Sequence, residues 1–486
     1  MSADNSLIFL TATEAVARLK SREVSSLDLV EASIARIEQV EPQVNALPIT
    51  CFERARSQAR RFDHERDYES SLLAGLPMSV KDLDEVAGVR HTNGGSGIFK
   101  DYVSENSAPM VAMLESNGAI TMGKSNSPEF GFNANTINEL FGPTRNPYDT
   151  SRTAAGSSGG AAVSVATGEV WLATGSDLGS SIRLPAAFNS VVGLRPSPGR
   201  VPREREGAPF DTLAVLGPIA RTVGDTALML DAMVGEIWSD PLTLPVVPNQ
   251  FVKAAERRRA PRRIGFSPDL GVTPVDPEIA SIVEAGALRF RDAGVAVEFE
   301  APDLSNGVEV FHAIRGVGHL ASMELLCDRY GDKVIPEVHE SIQRARKLSA
   351  SQYAWGQRER AYMFQRTIAF FDQFDLLVCP TGIMEPFPAE WRRVNTLHGH
   401  EFASYIDWIA VTYTISLLGC PSISVPCGFN SNGLPVGIQL VGRPRGEADL
   451  LAAAQIFEDL TGALGRLPVY PRPPTTDYAG GATWSN

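Results

Sequence analysis

Three short segments carry hydroxyl, amine and glycine residues in an arrangement suited to acyl transfer. Val80-Lys81-Asp82 closes an apolar run, Gly156-Ser157-Ser158-Gly159-Gly160 forms a serine-glycine stretch, and Gly175-Ser176-Asp177-Leu178-Gly179-Ser180-Ser181-Ile182-Arg183 forms another. Two hydroxyls offer a nucleophile and a proton relay, a lysine beside apolar residues offers a base, and small residues let main-chain amides approach a reacting carbonyl. Such a set needs no histidine. Between Ser157 and Ser181 lie Ala161 to Ala166 and Trp171 to Thr174, enough for one helix and one strand to bring the two hydroxyls together.

The elements that must position these residues follow from periodicity. Thr11 and Glu14 have capping-box spacing, and Val30, Ile34 and Ile37 recur at helical intervals after Ser25-Ser26, so residues 1–70 read as a helical region. From 72 to 240, short apolar runs such as Leu76 to Val80, Ala119 to Met122, Trp171 to Thr174 and Val191 to Leu194 alternate with stretches read as amphipathic, Val111 to Leu114 and Ala161 to Ala166. That alternation predicts a mixed or parallel sheet covered on both faces. Residues 239–262, rich in proline and then arginine, read as a connection, and the Arg257-Arg258-Arg259 and Arg262-Arg263 clusters as its solvated face. Residues 263–375 are mainly helical, and 376–470 return to the sheet through Leu376 to Cys379, Ser422 to Val425 and Val436 to Val441.

Composition narrows the function classes. The 486-residue chain is 43% hydrophobic and 21% charged, with a net charge of −13, which disfavours nucleic acid as a main partner. Five dispersed cysteines without a close pair argue against a disulfide framework or a zinc site. No stretch approaches the roughly 18 apolar residues of a membrane span, and no targeting segment is evident, so the expectation is a cytoplasmic protein.

Other motifs compete for the chemistry. Gly118 to Ser125 spells a phosphate-binding loop, but Asn117-Gly118 looks like a helix end and Ala119 to Met122 like a strand, so a strand with a surface turn is expected. Gly156-Ser157-Ser158-Gly159-Gly160 also fits G-x-S-x-G, which would make Ser158 a nucleophile served by a later histidine such as His312, His319, His339, His398 or His400. The polar segment before it does not supply the strand that motif needs. His398-Gly399-His400 lacks a third metal ligand nearby and reads as an exposed loop.

Taken together, Gly75 to Asp82, Phe141 to Pro147, residues 156–200 and Gly419 to Pro426 resemble the amidase signature family of serine amide hydrolases over most of the chain. The resemblance implies an α/β fold forming a single domain over 1–486, with a central mixed sheet flanked by helices on both faces, and catalysis without metal or cofactor. It implies Lys81 as base, Ser157 as a relay serine held by a cis peptide, and Ser181 as nucleophile. A neutral lysine requires its pKa to fall by roughly 3 from about 10.4, about 4 kcal/mol, which burial supplies. The amides of Leu178, Gly179, Ser180 and Ser181 are the candidate oxyanion hole, with Ser158, Asp177 and Arg183 supporting them. Ser180 stands where the family usually has glycine, which narrows the permitted backbone angles and bears on substrate fit. Phe130, Phe132, Tyr413, Trp355, Phe387, Trp391 and Trp408 are candidate walls for an apolar group. The expected substrates are small aryl acylamides, then carbamates, for a monomer or homodimer. The alternative is the glutaminase component of a tRNA-dependent amidotransferase, which would need a charged site for glutamine that is not evident in the sequence.

Overall fold

The computed structural model describes residues 6–484 apart from 66, 67, 69, 205–207, 463–466, 475–477 and 479. Its frame is one sheet of eleven strands. The order across it is Ile49–Thr50, Ile120–Ser125, Pro77–Lys81, Leu172–Asp177, Val215–Ala220, Val192–Arg195, Ser422–Phe429, Pro435–Val441, Leu376–Pro380, Arg263–Phe266 and Ala296–Glu298. Pro77–Lys81 pairs in parallel with both neighbours, whereas the strands from Val215–Ala220 to Pro435–Val441 pair antiparallel, so the sheet is mixed. Strands from both ends of the chain complete it, as the two sets of apolar runs predicted.

Side-chain alternation decides which face each residue serves. Leu172 joins a core beneath the helices Ala12–Ser21, Val223–Met233 and Glu447–Thr461, while the next residue, Ala173, joins a core with Ser26–Val44 and Gly159–Ala166. Helices therefore cover both faces. The first two long helices begin as their spacing requires, with Thr11 and Glu14, then Ser25 and Asp28, exchanging capping-box hydrogen bonds. The helix Gly159–Ala166 departs from the amphipathic expectation, because every residue in it is buried. Its glycines explain the depth: a Cβ on Gly160 would lie 2.5 Å from the Ala46 carbonyl oxygen, and one on Gly159 would lie 2.4 Å from Thr136 Oγ1.

The phosphate-loop look-alike is a strand, Ile120–Ser125, preceded by Gly118 at φ +86° after the helix Pro109–Ser116 and its capping residue Asn117. The turn after it is buried, against the expectation of a surface turn. Lys124 is enclosed there, 3.0 Å from Asp82 and 3.1 Å from His91 Nδ1. Its ammonium is thus committed to a buried ion pair. The arginine-rich connection contains the helix Gln250–Arg257, and Arg258, Arg262 and Arg263 each face an acid: Asp459, Asp375 and Glu298. Among the described residues, no helix is long and apolar enough to cross a membrane.

Candidate active site

Lys81 ends a fully buried strand, where its N–H donates to Thr174 Oγ1 at 2.9 Å. Its Nζ lies 2.7 Å from Ser157 Oγ, 2.9 Å from Ser158 Oγ and 3.0 Å from Ser176 Oγ. The side chain is fully enclosed and makes no ion pair among the described residues. Burial therefore dominates its proton affinity and pulls the pKa from 10.5 to about 7, with Asp84 and Asp177 only partly opposing the fall. At neutral pH a large share of the amine carries a lone pair.

The Gly156–Ser157 peptide is cis. Ser158 then opens the helix Gly159–Ala166, and its N–H donates to the Ser181 carbonyl at 3.0 Å, tying the two serine loops together. Ser181 sits in the turn between the strand Leu172–Asp177 and the helix Arg183–Phe188. Ser157 and Ser181 line the same cavity, about 170 Å³ in volume.

Asp177 and Arg183 hold that turn from beneath. Asp177 accepts from the Ile182 N–H at 3.1 Å and from Arg183 Nε and Nη2 at 3.0 and 2.9 Å, and Arg195 Nη1 adds a contact at 3.2 Å. Burial opposes ionisation of Asp177, but the two guanidinium groups overcome it and leave the carboxyl at about 2. Arg183 also donates to the Gly179 carbonyl at 2.8 Å, to Ser416 Oγ at 2.7 Å and to Gln439 Oε1 at 2.6 Å. Carbonyl and carboxylate groups are thus engaged on the inner side. The N–H groups of Leu178, Gly179, Ser180 and Ser181, by contrast, donate to no group among the described residues, while those of Ile182 and Arg183 do. Unpartnered amides at a cavity wall are available to a ligand oxygen. Ser180 is not among the residues of positive φ, so its side chain imposes no left-handed strain, and its buried Oγ has no partner among the described residues.

The cavity walls correct the aromatic expectation. Phe130 and Phe132 line it, whereas Tyr413 stands behind Phe311, stacked at 4.0 Å, and Phe387 packs against Trp391 and Trp408 away from it. Trp355 is half-buried in the neighbouring core. The histidines do not serve Ser158, whose hydroxyl faces Lys81 and the Ser176 carbonyl. His312 pairs with Asp407, His319 with Ser341, His339 with the Gly331 carbonyl and His398 with Asp276, while His400 lies exposed beside Phe402.

Residues 28–451 match the Amidase family. The chain belongs to the amidase signature family. It is 33% identical to an acylamidase of Rhodococcus erythropolis, over 94% of this chain and 96% of that protein. It is 34% identical to a glutamyl-tRNA(Gln) amidotransferase component of Moorella thermoacetica, over 94% and 97%. A bacterial aryl acylamidase structure of the same family superposes with a TM-score of 0.87 at 31% identity, covering 94% of this chain and 97% of the other. The protein is an amidase-family hydrolase with the mixed α/β fold of that family.

Several site residues of this amidase escape a reading of the sequence. Thr174 and Ser176 share one face of their strand and both reach Lys81, a period-two signal present in the sequence. Arg195, Ser416 and Gln439, which complete the Asp177–Arg183 cluster, come from other strands and a distant helix and leave no local signal. Charge at the cavity is equally hidden: Arg203 and Arg315 line it.

Proposed function

We propose that this amidase cleaves the C–N bond of a small amide through an acyl-enzyme on Ser181. The observation that carries the reading is the buried Lys81 amine 2.7 Å from Ser157 Oγ, where Ser157 lines one cavity with Ser181 and with four amides that have no partner among the described residues. Neutral Lys81 accepts the Ser157 proton as Ser157 takes that of Ser181, whose oxygen attacks the substrate carbonyl. The developing oxyanion is received by the amides of residues 178–181, each such donor contributing roughly 3 to 4 kcal/mol in known cases. The relay run in reverse protonates the departing amine, and water then releases the acyl group.

Cavity size and lining support a small, partly aromatic substrate. A cavity of roughly 150 Å³ accommodates benzene, and about 170 Å³ between Phe130, Phe132, Leu178 and Ile409 suits one ring with an amide. Similarity to an acylamidase and an aryl acylamidase supports aryl acylamides as the first class, and carbamates stand second. The similarity to an amidotransferase component supports the other reading, a glutaminase that works beside partner chains. Purified chain decides between them: anilide hydrolysis without partners, lost in Ser181→Ala, favours the first, and glutaminase activity without anilide turnover favours the second. Fluorophosphonate labelling followed by peptide mapping tests the nucleophile directly, with modification expected at Ser181 and slowed in Lys81→Ala. Modification at Ser158 instead would overturn the assignment.

A further inference from the structure

One face of the helix Gly307–Tyr330 lines the catalytic cavity: Phe311, Arg315, Gly318, His319, Ser322 and Met323 recur at helical spacing. Arg315 is the residue on that face that needs an explanation. Only 9% of it is exposed, yet it makes no ion pair among the described residues. Rings of Phe132, Phe311 and Tyr405 surround its guanidinium at 5.5, 6.0 and 5.6 Å, and Nη2 donates to the Tyr405 hydroxyl. Its other donors have no partner among the described residues and are not sealed from solvent, so they open toward the cavity.

This arrangement differs from that of the other arginines of the site. Arg183 and Arg195 share Asp177 as an ion-pair partner, and Arg203 is drawn toward Asp84 and Asp240. Across the cavity Phe130, Leu178 and Ile409 are apolar, and Asp211 is occupied in accepting the Leu213 N–H. A guanidinium taken from water without a carboxylate partner is costly, and a planar fork fixed by aromatic rings is pre-organised for a carboxylate arriving from outside.

We propose that Arg315 is a specificity residue that binds a carboxylate carried by the amide substrate, so that small apolar or aryl amides bearing a carboxylate are the preferred class. This deepens the reading of the site as an amidohydrolase and rests on it. No bond is made or broken at Arg315; it positions the substrate while the amide is cleaved at Ser181.

The test uses matched substrates that differ only in the charged group. N-phenylsuccinamic acid is paired with N-phenylbutyramide, which places the carboxylate on the acyl side. Acetamidobenzoic acids are paired with the corresponding acetamidotoluenes, which places it on the amine side. In the wild type, kcat/KM for the acid is expected to exceed that of its neutral partner at least tenfold in one of the two series, carried mainly by KM. The ratio should fall toward one in Arg315→Met and be partly retained in Arg315→Lys. Both substrates meet the same enzyme preparation, so the ratio does not depend on how much of a variant folds. A wild-type ratio at or below one in both series overturns the proposal, as does a ratio that survives in Arg315→Met. If neither series turns over, binding of the acids and neutral partners to Ser181→Ala by calorimetry gives the same ratio, with the same two outcomes. Failure of the underlying reading shows separately, as hydrolysis that persists in Ser181→Ala.

Discussion

Replacing Lys81 with methionine should abolish turnover while making the protein more stable at neutral pH. Burial lowers the Lys81 pKa from 10.5 to about 7, so the folded chain resists a proton that the unfolded chain binds readily. At pH 7 that opposition costs about 4 kcal/mol. Methionine has similar length and no charge, and removes the cost. Set against this are the contacts with Ser157, Ser158 and Ser176, each with a net value of about 1 kcal/mol. The variant is expected to gain about 1 kcal/mol at pH 7.

The pH dependence is the sharper quantity, because lost hydrogen bonds do not titrate in this range. The folded pKa lies below the unfolded one, so the unfolded chain binds more protons between about 7 and 10.5, and the wild type gains stability as pH rises through that window. From pH 7 to pH 9 this single group adds about 2 kcal/mol, which the variant lacks. Urea unfolding midpoints of both proteins at pH 7, 8 and 9 measure the difference, alongside hydrolysis of an anilide. A difference between the proteins that stays flat across that range, or widens in favour of the variant, would refute a lysine held neutral by burial.

The same amine governs rate: kcat/KM should rise with pH through about 7 and then level, and an acidic limb centred well away from that value would remove Lys81 from the role of base. Asp177→Asn leaves Arg183 and Arg195 buried beside an uncharged amide, so a loss of about 3 to 5 kcal/mol is expected together with loss of activity. A melting temperature close to that of the wild type would contradict that account of the loop. Ser180→Ala removes a buried hydroxyl that has no partner among the described residues and should stabilise the fold by about 1 kcal/mol. Destabilisation in thermal denaturation would mean that the hydroxyl is satisfied by water.

Local chemistry made much of the architecture legible. Apolar runs of four to eight residues became strands because they are bounded by glycine, proline and asparagine, and Thr11 and Ser25 became helix starts because an acid follows three residues later. The phosphate-loop look-alike was recognisable as a strand because its neighbours contradicted the motif. Misreadings arose where the outcome depends on depth. Ala161 to Ala166 has the composition of a helix face, yet close approaches at Gly159 and Gly160 bury it on all sides. Tyr413, Phe387, Trp391 and Trp408 have the composition of a binding wall, yet they pack against one another behind Phe311 or in the adjoining core.

At the site, the order of residues was enough to say which groups are present: the hydroxyls of Ser157 and Ser181, the amine of Lys81, and a glycine-bearing turn flanked by Asp177 and Arg183. Folding in three dimensions sets the state they are in. Lys81 titrates near 7 because the sheet and the helix above it exclude water, a property of packing density and not of any spacing along the chain. The turn holding Ser181 is braced because Arg183 reaches Ser416 and Gln439, and the cavity is lined by a cation without an ion pair among the described residues, Arg315, because a helix beginning at Gly307 lies across it. Such contacts join residues more than a hundred positions apart, where local periodicity carries no information about which side chains meet.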